Sequence, residues 1–99
     1  MNIRIQTVHF DAAEKLENFI NLKVGKLEQF YDGILSAEVV LRLDKSESLE
    51  NKLAEVTLDI PGNNLFSKKQ SKTFEEAVDS ACEALRKQLD KRKEKVKAK

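Results

Sequence analysis

Apolar and polar positions alternate through Ile3-Arg4-Ile5-Gln6, a period of two that predicts a short strand with one buried face. Asp11 then stands as a helix N-cap, with Glu14 three places on as its capping-box partner. From there to about Tyr31, Ala13, Leu16, Ile20, Leu27 and Tyr31 fall on one helical arc flanked by Phe19 and Phe30. Gly25 weakens that helix by about 1 kcal/mol relative to Ala, and Asp32-Gly33 ends it. Two further alternating runs follow, Ala37-Val39-Leu41-Leu43 and Ala54-Val56-Leu58-Ile60, separated by the polar connection Asp44 to Asn51. Pro61-Gly62-Asn63 is a turn signal. Leu65 to about Gln70 is a weaker fourth strand whose Lys68 and Lys69 suit a sheet edge. The last helix starts near Thr73, an N-cap with Glu76 three residues on. Its apolar arc is Phe74, Ala77, Val78, Ala81, Cys82, Leu85 and Leu89.

The order β-α-β-β-β-α predicts an α+β two-layer sandwich with a four-stranded mixed sheet. The first helix is a crossover, so the first two strands run parallel and the last three form an antiparallel meander. Two helices can cover only one sheet face, so both are expected side by side there. The other face, carrying Glu55, Thr57 and Asp59, stays open to water.

Ninety-nine residues make a single domain over 1–99, in which about 93–99 is a basic tail. The net charge is only +1, yet the charge is polarised. From Arg86 to Lys99 the balance is +6, whereas residues 1–64 carry −4. That separation suits a protein that turns one face to a polyanionic backbone. The single cysteine forbids an intramolecular disulfide, and with one histidine it makes a poor start for a metal site. No apolar signal core or membrane-length run is present, which places the chain in the cytoplasm without a membrane partner. Isolated glycines and the absence of a nucleophile motif near His9 point to no enzyme, no cofactor and no small-molecule substrate.

The candidate chemistry is therefore cationic. Glu75, Asp79, Glu83 and Asp90 occupy one flank of the last helix, and Lys87, Lys91 and Lys95 form an i, i+4 row on the other. Arg86, Arg92 and Lys93 add charge, and the apolar seam stops before Arg92, so the helix is expected to project past the sheet. A lysine-rich helix end also complements the macrodipole and aids solubility, and composition alone does not separate the two roles. The first helix adds weight to binding. Lys23 interrupts the apolar arc between Phe19 and Leu27, with Lys26 beside it, so that Lys23 must extend along the inter-helix groove. Side-by-side helices would then align Lys23 and Lys26 with Lys87 and Lys91 in one stripe.

Several segments resemble the ribosome hibernation-promoting factors, a family that includes the ribosome-associated inhibitor of translation. They are Met1-Asn2-Ile3-Arg4-Ile5, Ile20-Asn21-Leu22-Lys23-Val24-Gly25-Lys26-Leu27 running into Phe30, Ile60-Pro61-Gly62-Asn63-Asn64-Leu65, and Ala77-Val78-Asp79 leading to Leu85-Arg86-Lys87-Gln88-Leu89-Asp90-Lys91. The resemblance covers essentially the whole chain and implies the same element order. It also implies binding to the small ribosomal subunit in the messenger- and transfer-RNA channel. Lys23, Lys26, Lys87, Lys91 and Lys93 would contact ribosomal RNA, and translation would stop by occupancy in stationary phase or stress. Ala84, where the family commonly has Lys, Glu75-Glu76, where Tyr-Ala is usual, and Thr7, where Gly is common, depart from the pattern. The chain looks like a short form, so ribosome pairing would call for a second factor. A stand-alone binder of structured RNA and a sigma-factor-type protein modulator remain the alternatives.

Overall fold

The alternating runs and the two helical arcs become six elements in the expected order. The computed structural model describes residues 1–45 and 49–97, with side chains as far as Arg92. Strand β1 spans Asn2–Thr7, helix α1 Glu14–Gly25, strand β2 Ser36–Leu43, strand β3 Lys52–Ile60, strand β4 Asn63–Ser71 and helix α2 Phe74–Lys97. The sheet order is β1-β2-β3-β4. β1 runs parallel to β2, and the β2–β3 and β3–β4 pairs are antiparallel.

Alternation explains the layers. Ala37, Val39 and Leu41 of β2 and Ala54, Val56, Leu58 and Ile60 of β3 point to one face and are buried. Ile20 and Val24 of α1 meet them there, together with Ala77, Val78, Ala81, Cys82, Leu85 and Leu89 of α2. Both helices therefore lie on the same side of the sheet. Each fully buried Val, Leu or Ile stabilises the fold by roughly 1.5–3 kcal/mol, so this shared seam holds α2 in place over its first four turns. The opposite face presents Arg4, Gln6, Glu38, Arg42, Glu55, Thr57 and Asp59 to solvent.

The β3–β4 hairpin turns on Pro61 and Gly62, with Ile60 paired to Asn63. Gly62 has φ 82, the conformation that a type II turn requires after a proline. An added Cβ there would be strained by the backbone alone.

The two helix starts differ. Thr73 Oγ1 accepts the Glu76 N–H at 3.1 Å, so the α2 cap forms as expected. At α1 the Asp11–Glu14 capping box does not form: Ala13 occupies the N-cap, with no side-chain cap bond. The preceding loop explains the shift. His9 adopts φ 65, the Thr7 hydroxyl donates to the Phe10 carbonyl at 2.5 Å, and the Phe10 ring stacks on Phe74 with centroids 5.0 Å apart. Phe10 is thus anchored to the start of α2, and the chain needs Asp11–Ala13 as an extended link before it can wind. The far end of α1 also departs from one continuous helix. After Gly25 the backbone tightens into a 3₁₀ turn over Lys26–Gln29, which still buries Leu27. A glycine at the junction, with its low helix propensity, is where such a change costs least.

Candidate nucleic-acid interface

The roll of α2 about its own axis decides which charges meet. Cys82 and Leu89 face inward into the core shared with α1, and Gln88 on the other side donates from Nε2 to the Phe66 carbonyl of β4 at 3.0 Å. At 100° per residue, the flank toward α1 is then the acidic one. Lys23 extends half-buried from α1, its ammonium 3.2 Å from Asp79 Oδ1 and 5.7 Å from the centre of the Phe19 ring. Arg86 lies in the same inter-helix groove. Its guanidinium sits 5.5 Å over the Phe30 ring, donates to Glu83 at 2.7 Å and approaches Asp90 at 4.0 Å. The hydrogen bond and charge of Glu83 raise the Arg86 pKa above its ordinary value.

Lys87 and Lys91 lie elsewhere. They line an open groove of about 780 Å³ between α2 and the β4 edge, together with Lys69, Ala84 and Gln88. The single stripe of Lys23, Lys26, Lys87 and Lys91 expected between the helices is therefore split. Lys23 sits at the inter-helix groove beside Asp79. Lys87 is eight residues on, rotated by about 80° and displaced by about 12 Å along the axis. Asp79 and Glu83 continue the same i, i+4 row and form the acidic head of the β4-side groove. Lys26 is exposed in the 3₁₀ turn. Among the described residues, Lys26, Lys69, Lys87 and Lys91 make no ion pair.

Arg92 behaves differently again. One of its terminal nitrogens donates to the Pro61 carbonyl at 3.3 Å, bracing the β3–β4 turn, and its Nε is buried without a partner among the described residues. Lys93 and Lys95 continue the helix, but their side chains lie outside the described residues.

A charged helix layer on a β-α-β-β-β-α scaffold can be compared with known proteins. The family model described as "Sigma 54 modulation protein / S30EA ribosomal protein" matches residues 3–97. The chain belongs to this family. It is 29% identical over 97 residues to the ribosome hibernation promoting factor of Escherichia coli K12, covering 98% of each chain. It is 28% identical over 95 residues to the factor of the same name from Pseudomonas putida, covering 96% of this chain and 89% of that one. Among solved structures, the Thermus thermophilus Protein Y N-terminal domain superposes with a TM-score of 0.79 at 25% identity, covering 92% of this chain and 98% of that one. A ribosomal subunit interface protein from Coxiella burnetii shares the fold, with a TM-score of 0.83 at 20% identity over 94% of this chain and 98% of that one.

Within this S30EA-family chain two further residues with reactive side chains, His9 and Cys82, lie outside the lining of the β4-side groove. His9 is an exposed loop residue in a left-handed turn, beside Arg42 and Lys45. Cys82 is buried under the Lys23–Asp79 pair. Burial and, secondarily, the Asp79 carboxylate push its thiol up to about 12, against a smaller opposing effect of Lys23. No helix among the described residues is long and apolar enough to cross a membrane. Sequence reasoning singled out neither the acidic partner of Lys23 nor the groove that Lys69 lines. The i, i+4 spacing of Asp79, Glu83, Lys87 and Lys91 was the available signal for the second.

Proposed function

We propose that this protein binds the small ribosomal subunit in the messenger- and transfer-RNA channel and silences translation by occupying it, in stationary phase or stress. Family membership and the names of its relatives supply the ribosome as partner. The charge layout supplies the mode of binding. The observation that carries it is that Lys87 and Lys91, on the outer helix layer of a chain whose first 64 residues carry a net −4, form no ion pair among the described residues. Unpaired ammoniums gain most from phosphate, because no internal partner has to be given up. Lys26, Lys87, Lys91, Lys93 and Lys95 are the contacts we assign to ribosomal RNA. No bond in RNA is made or broken. Exclusion of the other RNAs is steric.

Sedimentation of purified small subunits with the protein, across a salt series, tests this. About five phosphate contacts on locally single-stranded RNA give a log–log slope of about −3.5. Binding that ignores salt, or that favours free duplex RNA over subunits, would overturn it. A second reading, docking of a protein on the open sheet face, draws on one observation: Phe66 is 52% exposed there, with Thr57 as its cross-strand neighbour. It predicts that substitutions at Thr57 and Phe66, rather than at the lysines, abolish function.

A further inference from the structure

The α2 groove has two walls, and only one of them belongs to the helix. Along α2 the i, i+4 row runs Asp79, Glu83, Lys87, Lys91, acid first and base last. That order alone is what a helix macrodipole favours, with carboxylates near the N-terminus and ammoniums toward the C-terminus. Lys69 is not explained this way, because it stands on a strand. Its neighbour Lys68 points to the open face, where Glu55 is its cross-strand partner. Strand alternation turns Lys69 the other way, toward the helix, opposite Ala54, which offers no charge. Lys69 is exposed and has no ion-pair partner among the described residues.

From α2 the same groove is lined by Ala84, whose methyl group leaves the floor open, and by Gln88, whose amide is tied to the Phe66 carbonyl three residues before Lys69. The result is a cleft with Lys69 on one wall, Lys87 and Lys91 on the other, and carboxylates only at the Asp79–Glu83 end. Three ammoniums from two elements line this one groove, and none of them is in an ion pair among the described residues. Such a cluster suits an anion that bridges the walls.

We propose that Lys69 of β4 is an RNA-binding residue, which with Lys87 and Lys91 holds successive backbone phosphates of ribosomal RNA in the groove between β4 and α2, one phosphate to each lysine. The inference rests on the ribosomal reading above and deepens it: the RNA strand follows this groove, not the one between the helices.

The test compares the full chain with its Lys69→Gln and Lys69→Arg variants for binding to purified small subunits across a salt series, with Lys45→Gln as a control outside the groove. Loss of one phosphate contact lowers the magnitude of the log–log slope by about 0.7–0.9 and weakens binding about five- to eightfold at 0.1 M salt. Lys69→Gln should show both changes, Lys69→Arg should restore the slope, and Lys45→Gln should match the wild type. If wild-type binding keeps its salt dependence but Lys69→Gln has the same slope and affinity, this inference falls and the ribosomal reading stands. If the wild type does not bind subunits at all, both fall.

Discussion

The ammonium of Lys23 lies 3.2 Å from the carboxylate of Asp79, joining α1 to α2 across the groove between them. Lys23 is 34% exposed and Asp79 62% exposed, so the pair is well solvated and contributes at most about 1 kcal/mol to stability. Its larger effect is on charge. Asp79 cancels the one cation on the apolar arc of α1 and sets a negative charge at the head of the basic groove.

Asp79→Asn should therefore separate stability from binding. Urea denaturation is expected to show a loss of under about 1 kcal/mol. Affinity for small subunits at low salt should rise by at least about twofold, with the gain fading as the Debye length shortens. Unchanged affinity at low salt would mean that Asp79 lies away from the RNA path.

Arg92 should report on the fold more than on RNA. Its hydrogen bond to the Pro61 carbonyl braces a turn in which a type II conformation closes a two-residue hairpin. Type II turns match strand twist less well than the primed types, so an outside brace is useful there. Arg92→Ala is expected to cost about 1 kcal/mol, a fall in Tm of roughly 4–8 °C for a domain of this size. Subunit affinity measured well below that Tm should drop less than it does for Lys91→Gln. The reverse order would return Arg92 to the RNA-contacting set.

These assignments show where the sequence is legible and where it is not. Ala54, Val56, Leu58 and Ile60 can be placed from alternation alone because one sheet face is wet and the other dry. Thr73 and the Pro61-Gly62 turn can be read because each signal is local, acting within three or four residues. A helical wheel separates the acidic and basic flanks of α2 but cannot say which flank meets α1. The roll is set by Leu85, Leu89 and Cys82 settling against both the sheet and α1, a tertiary choice. Leu53 makes the same point on a strand. Alternation assigns it to the open face, yet it is buried. Gln70, its register partner, bonds to Asp44 and to the Glu50 carbonyl and closes that end of the face. Arg92 follows the apolar seam in sequence, but its partner lies 31 residues earlier, beyond the reach of any local pattern.

Cys82 gives a pH signature. Its thiol is pushed up to about 12 in the folded protein, chiefly by burial, from 9.0 when unperturbed. Between those values the unfolded chain releases the proton while the folded chain keeps it. The contribution is fully present below pH 9.0 and is lost as pH rises toward 12, with a slope of up to about 1.4 kcal/mol per pH unit. Cys82→Ala removes this component, so the stability difference between variant and wild type should shift in favour of the variant between about pH 8 and about pH 10. Lysine titration is common to both proteins and cancels in the difference. A constant difference across that range would mean that the thiol ionises as freely in the folded state as in the unfolded one.

The division of cations between two grooves makes its sharpest prediction in a comparison of charge reversals. Lys87→Glu with Lys91→Glu extends the acidic row of Asp79 and Glu83 down the whole β4-side groove, turning attraction for phosphate into repulsion. Two lost contacts reduce the magnitude of the salt slope by about 1.5 and weaken subunit binding by roughly 25-fold or more at 0.1 M salt. Both positions are exposed, so the melting profile should hold within about 0.5 kcal/mol. Lys23→Glu instead places like charges together at Asp79, beside the buried Cys82, and should destabilise the fold while changing subunit binding far less. If Lys23→Glu alone weakens binding as strongly as the double reversal, with an unchanged melting profile, the RNA runs between the helices and the β4-side groove is only a solvated cleft.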